Sequence, residues 1–148
     1  MPAEQSKSSK SIAIAVADFN DEITGRMLAQ AQEEAKKAGA RVVRVVHVPG
    51  AYDLPLIVAI LLERDDVEAA VALGAVIKGE TKHDEMVVST CAKQLSDLSI
   101  EFGKPVGMGI IGPGASHAQA QARADGYARR AVSAALRLLD AQMEAGEE

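Results

Sequence analysis

Four short apolar runs recur about every 30 residues, the length of a strand-plus-helix unit. No other feature narrows the fold as much. The runs are SIAIAVA at 11–17, RVVRVVHV at 41–48, VEAAVALGAVI at 67–77 and KPVGMGII at 104–111. The first and third are too uniformly small and apolar to face water on one side, which suits parallel strands covered on both faces. Between the runs lie segments with helical spacing. DEITGRMLAQAQEEAKKAGA has acids in its first turn, bases near its end and Gly39 as a C-terminal stop. DLPLIVAILLER starts with Asp53 at a cap position and Pro55 in the first turn, where proline is tolerated. Residues 83–102 and 116–140 give two more helices. The expected fold is α/β: a flavodoxin-like three-layer sandwich around a four-stranded parallel sheet.

At 148 residues the chain has the length of one domain. The expected limits are a polar N-terminal tail over 1–10, one α/β domain over 11–141 and a C-terminal tail over 142–148. The net charge of −5 argues against nucleic acid or anionic membrane as partner, since those need a basic surface. The opening MPAEQSKSSK has no apolar core of signal-peptide type, and no run reaches the length of a membrane span. The single cysteine, Cys91, cannot close an internal disulfide, so a reducing, cytoplasmic setting is expected.

In such a sheet, ligands bind beyond the carboxyl ends of the strands. That rule selects ADFND, VPGAYDLP, KGETKHDE and GPGASH. In KGETKH, Gly79 permits a tight turn whose following amides, near a helix start, suit an anion, and Thr81 adds a hydroxyl donor. His83 follows in the first helical turn, where an imidazole can both take and give a proton. G-x-T-x-H by itself is a weak pattern, and on that segment alone a capped helix with a surface histidine comes first. Phe19, one of two phenylalanines, stands in a polar turn. The commoner use of such a residue is to fold back as a staple beside the helix start; the other is to offer a flat face to a planar ring. Tyr52 and Asp53 could meet a polyhydroxyl chain, while Asp53 equally suits a helix cap. Cys91 and His47 read as structural, and His117 receives no role. Three histidines and one cysteine show no metal-ligand spacing. GPGASH could hold an anion through its amides, although Pro-Gly more often just makes a turn.

Taken in order, FN at 19–20, VPGAYDLP at 48–55, GAVIKGETKH at 74–83, KPVGMGI at 104–110 and QAQAR at 119–123 resemble the 6,7-dimethyl-8-ribityllumazine synthase family. The resemblance spans residues 12 to about 137, and the GIIGPG ending of the fourth run is most similar to the archaeal-type branch. It implies condensation of 5-amino-6-(D-ribitylamino)uracil with 3,4-dihydroxy-2-butanone 4-phosphate in riboflavin biosynthesis, with neither cofactor nor metal. By resemblance, Phe19 stacks on the pyrimidine beside Asn20, and the backbone of Val76 and Ile77 bonds its edge. Ala51, Tyr52 and Asp53 line the ribityl chain. Gly79, Glu80 and Thr81 cradle the phosphate, with Arg123 reaching over from a neighbouring subunit, and His83 moves protons. A site completed by a neighbour implies a homo-oligomer, in this family built on pentamers.

Three departures from the family pattern stand out. Asp53 replaces the commoner glutamate of the ribityl loop. Met108 stands where an aromatic is usual and can cover a ring edge without stacking. The glycine- and lysine-containing kink between the last helices is absent, so the second phosphate cation falls on Arg130 or Arg129. Three other readings compete. An archaeal-type riboflavin synthase would have no use for the GET-x-H loop, because its substrates carry no phosphate. A non-catalytic lumazine- or flavin-binding or shell-scaffold member would not need the Phe19, Thr81, His83 and Arg123 set. A signalling domain would need an acidic pair near strand one, which Asp18 and Asp21 only approach.

Overall fold

A computed structural model of the chain describes residues 10–79 and 83–147. Strands β1 (Ser11–Ala17), β2 (Arg41–Val48), β3 (Ala69–Ile77) and β4 (Val106–Ala115) form one parallel sheet in the order β2-β1-β3-β4. Helices α1 (Asp21–Lys37), α2 (Leu54–Leu62), α3 (Asp84–Phe102) and α4 (His117–Ala145) alternate with them. Every residue of β1 and β3 is buried, so the two uniformly apolar runs are the central strands. The more mixed runs, β2 and β4, form the edges.

Two cores lie on the two faces, and they are complementary in size. Ile12, Ile14, Val16, Val71 and Leu73 point to one face, where α1 and the alanine stripe of α4 (Ala120, Ala124, Ala128, Ala131) cover them. Ala13, Ala15, Ala17, Ala70 and Ala72 point to the other, where Leu54, Val58, Leu61 and Leu62 of α2 and Val88, Cys91 and Leu95 of α3 fill the space. Large strand residues thus meet small helix residues and the reverse, which is how a dense interior avoids both voids and overlap. The closest approach is at Gly107 of β4, where a β-carbon would stand 2.1 Å from the Ala131 carbonyl oxygen. Only glycine lets α4 settle there.

Two element boundaries differ from the sequence pattern. β4 does not stop before GPG but runs through Gly112-Pro113-Gly114 to Ala115, with a register shift opposite Ala75 and Ile77. The reason is backbone pairing: the end of β3 needs partners, and Lys78 donates its amide to the Ala115 carbonyl at 2.7 Å. Gly112, at φ 114°, also lies so close to the Val76 carbonyl that a β-carbon would come within 2.5 Å of its oxygen. The glycines here serve strand continuation. Helix α4 runs to Ala145, past residue 140 where the pattern placed its end. It passes through DGYARRA without a break.

Candidate active site

The turn after β1 is built to present Phe19. Asp18 donates its amide to the Val48 carbonyl at 2.8 Å and Phe19 to the Pro49 carbonyl at 2.9 Å, which fastens the turn to the end of β2. Asn20 takes a left-handed φ of 66°, and its side-chain amide donates to the Ala75 carbonyl of β3 at 2.9 Å. The Asn20 carbonyl accepts from the amides of Ile23 and Thr24 and so starts α1. Held on both sides, Phe19 remains 57% exposed at the rim of the sheet, so it does not fold back as a staple.

Phe19 forms one wall of an apolar cavity of about 180 Å³, completed by Gly50, Ala51, Tyr52, Ala75, Val76, Ile77 and Val87. The structure therefore gathers Phe19 from the turn after β1, Ala51 and Tyr52 from the segment after β2, and Val76 and Ile77 from the end of β3, as the rim rule requires. Asp53, the next residue after Tyr52, is exposed and does not line this cavity. It occupies the residue before α2, but its carboxylate does not cap that helix; Oδ2 instead accepts from the Gly50 amide at 3.0 Å and closes the turn that carries Tyr52.

A second cavity, of about 470 Å³, is lined by Lys78, His83, Asp84, Glu85, Met86, Pro113 and Gly114. The two linings share no residue but are neighbours in the chain: Ile77 lines one and Lys78 the other, with Val87 and Met86 divided in the same way. Gly79 takes φ 86°, a conformation glycine adopts freely. His83 is the residue before α3, one position earlier than its expected place in the first turn. Asp84 Oδ2 accepts from the Gly114 amide at 3.2 Å, binding the start of α3 to the end of β4. One amide of the GPG segment is thereby occupied. Glu80 and Thr81, expected to cradle phosphate, lie outside the described residues.

The cationic residues stand elsewhere. Arg123, Arg129 and Arg130 belong to α4, which covers the sheet face opposite α3. Arg123 is exposed and does not line the His83 cavity of its own chain. Arg129 donates to Gln30 Oε1 at 2.8 Å, and the Arg130 guanidinium lies 5.2 Å from the centre of the Tyr127 ring. Met108, 45% exposed, sits in mid-β4 opposite Ala72 and is not brought to the Phe19 wall within the chain. Burial pushes the Cys91 thiol up to about 11, as suits a core residue rather than a nucleophile. His117 Nε2 is 2.9 Å from Glu22 Oε1 at the start of α4.

Sequence reasoning passed over Lys78 and Asp84, although both stand in the KGETKHDE segment that the rim rule selected. It also passed over the pairing of His47 Nδ1 with Asp18 Oδ1 at 2.7 Å, beside Phe19. Among the described residues, no group of three or more His, Cys, Asp or Glu could hold a metal ion. No helix there is long and apolar enough to cross a membrane.

A three-layer α/β sandwich with a cleft at the carboxyl rim of its strands, apolar on one side and polar on the other, defines a small-molecule enzyme of the doubly wound class. The profile of the 6,7-dimethyl-8-ribityllumazine synthase family matches residues 9–142. Similar proteins of that name occur in Staphylothermus marinus (53% identical, covering 87% of this chain and 86% of the relative) and Metallosphaera sedula (52%, covering 88% and 87%). A third, from Sulfolobus acidocaldarius, is 50% identical and covers 91% of this chain and 85% of its own. The chain belongs to the 6,7-dimethyl-8-ribityllumazine synthase family, transferases of riboflavin biosynthesis.

Proposed function

We propose that this chain condenses 5-amino-6-(D-ribitylamino)uracil with 3,4-dihydroxy-2-butanone 4-phosphate, using the two cavities as one site. The observation that carries the reading is Phe19, exposed over an apolar cavity whose lining ends at Ile77, next in the chain to Lys78 of the His83 cavity. A pyrimidine stacks on the Phe19 ring, with the backbone of Val76 and Ile77 at its edge and Asn20 holding the turn. The ribityl chain runs along Ala51, Tyr52 and Asp53, where Asp53 keeps Oδ1 available beyond its bond to Gly50. The phosphate goes to the polar side, at Gly79, Glu80 and Thr81.

The uracil amine attacks the ketone and water leaves to give an imine. Removal of a proton then expels phosphate, and ring closure by the ribitylamino nitrogen releases water again. Every step moves a proton, and His83, whose imidazole can both take and give one, carries it. Holding two reactive substrates together supplies most of the acceleration. The His83 share is roughly a factor of 10² or less.

An apolar cavity of about 180 Å³ is small for a drug-sized ligand, which typically needs ~300 Å³ or more, so the site calls for a second wall. Tyr52, just before α2, and Leu56 and Ile60 within it recur every four residues, all exposed, as one stripe. Such a stripe fits a neighbouring copy in a cyclic assembly. Arg123, turned away from its own His83 cavity, would serve the neighbour's phosphate, with Arg130 as second cation and Met108 covering a ring edge. We place the protein in the cytosol, consistent with its single buried, reduced cysteine.

The test mixes purified protein with both substrates and follows the lumazine chromophore and phosphate release. Saturable formation of both supports the reading. A flat trace despite demonstrated binding of both substrates would favour a non-catalytic scaffold.

A further inference from the structure

We infer that Lys78 is the phosphate-binding cation supplied from within the same chain, the partner of His83 across the polar cavity. This deepens the proposed reaction and rests on it. Three observations converge. The position of Lys78 is fixed, because its amide donates to the Ala115 carbonyl at 2.7 Å and anchors it to the end of the sheet. Lys78, an exposed residue, lines the same cavity of about 470 Å³ as His83, together with Pro113 and Gly114. Among the described residues it enters no ion pair, although two carboxylates, Asp84 and Glu85, line the same space.

Those carboxylates are what make a local cation necessary. A phosphate dianion entering here meets two like charges in the first turn of α3, which oppose the favourable field of the helix start. Asp84 is partly turned aside, its Oδ2 accepting from the Gly114 amide at 3.2 Å. Glu85 shows no such tether among the described residues. Arg123 and Arg130, on the far face of the sheet, cannot offset the charge within one subunit. The ammonium of Lys78 is a compact charge with three donors on a flexible stem, able to follow the phosphate as the ester bond breaks. It therefore serves both to hold the substrate and to stabilise the departing group.

The experiment compares wild type with Lys78→Met, Lys78→Gln and Lys78→Arg in the assembled protein, with Lys93→Met as a control. Lys93 pairs with Asp97 on the exposed side of α3, away from both cavities. Each protein is assayed for KM of both substrates, for competitive inhibition by inorganic phosphate, and for direct phosphate binding by titration calorimetry, which needs no turnover. Loss of a charge-assisted contact should raise the KM for the butanone phosphate and the inhibition constant for phosphate roughly tenfold. The KM for the aminouracil should stay within about twofold, and Lys78→Arg should recover most of the loss. If Lys78→Met and Lys78→Gln, folded by circular dichroism, bind phosphate as wild type does, the inference is wrong. It is also wrong if both KM values rise together, which marks general disturbance of the site. If wild type itself makes no lumazine, the proposed reaction fails instead, and phosphate binding still reports on Lys78. Should Lys78→Met not fold, Lys78→Gln keeps the polar stem end and decides the matter.

Discussion

The side-chain amide of Asn20 donates a 2.9 Å hydrogen bond to the Ala75 carbonyl, so the turn after β1 is fastened to the last residues of β3. Phe19 and the Val76–Ile77 backbone are thereby held in one frame before any ligand arrives. Asn20→Ala removes the bond and puts a β-carbon residue without a local polar partner at φ 66°, a loss of about 1–2 kcal/mol. Asn20→Gly loses the bond but tolerates the backbone, and should be less destabilised in urea unfolding. Both should raise the KM for the aminouracil. Equal loss in the two variants would show that the left-handed backbone is not what the site needs.

His83→Ala should slow lumazine formation by roughly 10² or less and leave it well above the uncatalysed reaction. Steady-state rates at saturating substrate measure this. No slowing removes His83 from the mechanism, while complete loss would mean that positioning of the substrates supplies little of the acceleration.

Gly107 is where packing is tightest, with the Ala131 carbonyl oxygen 2.1 Å from any added β-carbon. Gly107→Ala should cost about 3 kcal/mol, the upper part of the overpacking range. Gly25→Ala, in mid-α1 where a β-carbon meets nothing, should instead gain ~0.5–1 kcal/mol. Denaturant midpoints check both.

Cys91 gives a pH prediction. Its thiol is raised from 9.0 to about 11 by burial, so the folded state holds the proton more tightly than the unfolded chain. The associated stability is present below pH 9, declines as pH rises from 9 towards 11, and is gone above that. Cys91→Ala should flatten this part of the stability profile. Native protein should also react slowly with a thiol reagent near pH 8 and rapidly once unfolded.

Much of this architecture was legible in the chain, for identifiable reasons. SIAIAVA and VEAAVALGAVI have no polar face, and only central parallel strands bury such runs on both sides. The strand-end rule then pointed to Phe19, Tyr52 and the His83 segment without any contact information. What escaped notice depends on long-range geometry. GPG reads as a turn, and only the need of β3 for hydrogen-bond partners turns it into strand. Asp53 looks like a helix cap until Gly50 is seen to claim its carboxylate. His47 pairs with Asp18, 29 residues away, across two neighbouring strands. Lys78 is an ordinary lysine after a strand until the fold puts it in one cavity with His83.

The central claim is that the Phe19 cavity and the Lys78–His83 cavity together form one binding site. A crystal structure with a ribitylaminopyrimidine carrying an alkyl phosphonate tests it most directly. The account predicts the ring stacked on Phe19 at about 3.5–4 Å and the phosphonate between Lys78 and His83. A phosphonate bound elsewhere, or a ring seated away from Phe19, would contradict it.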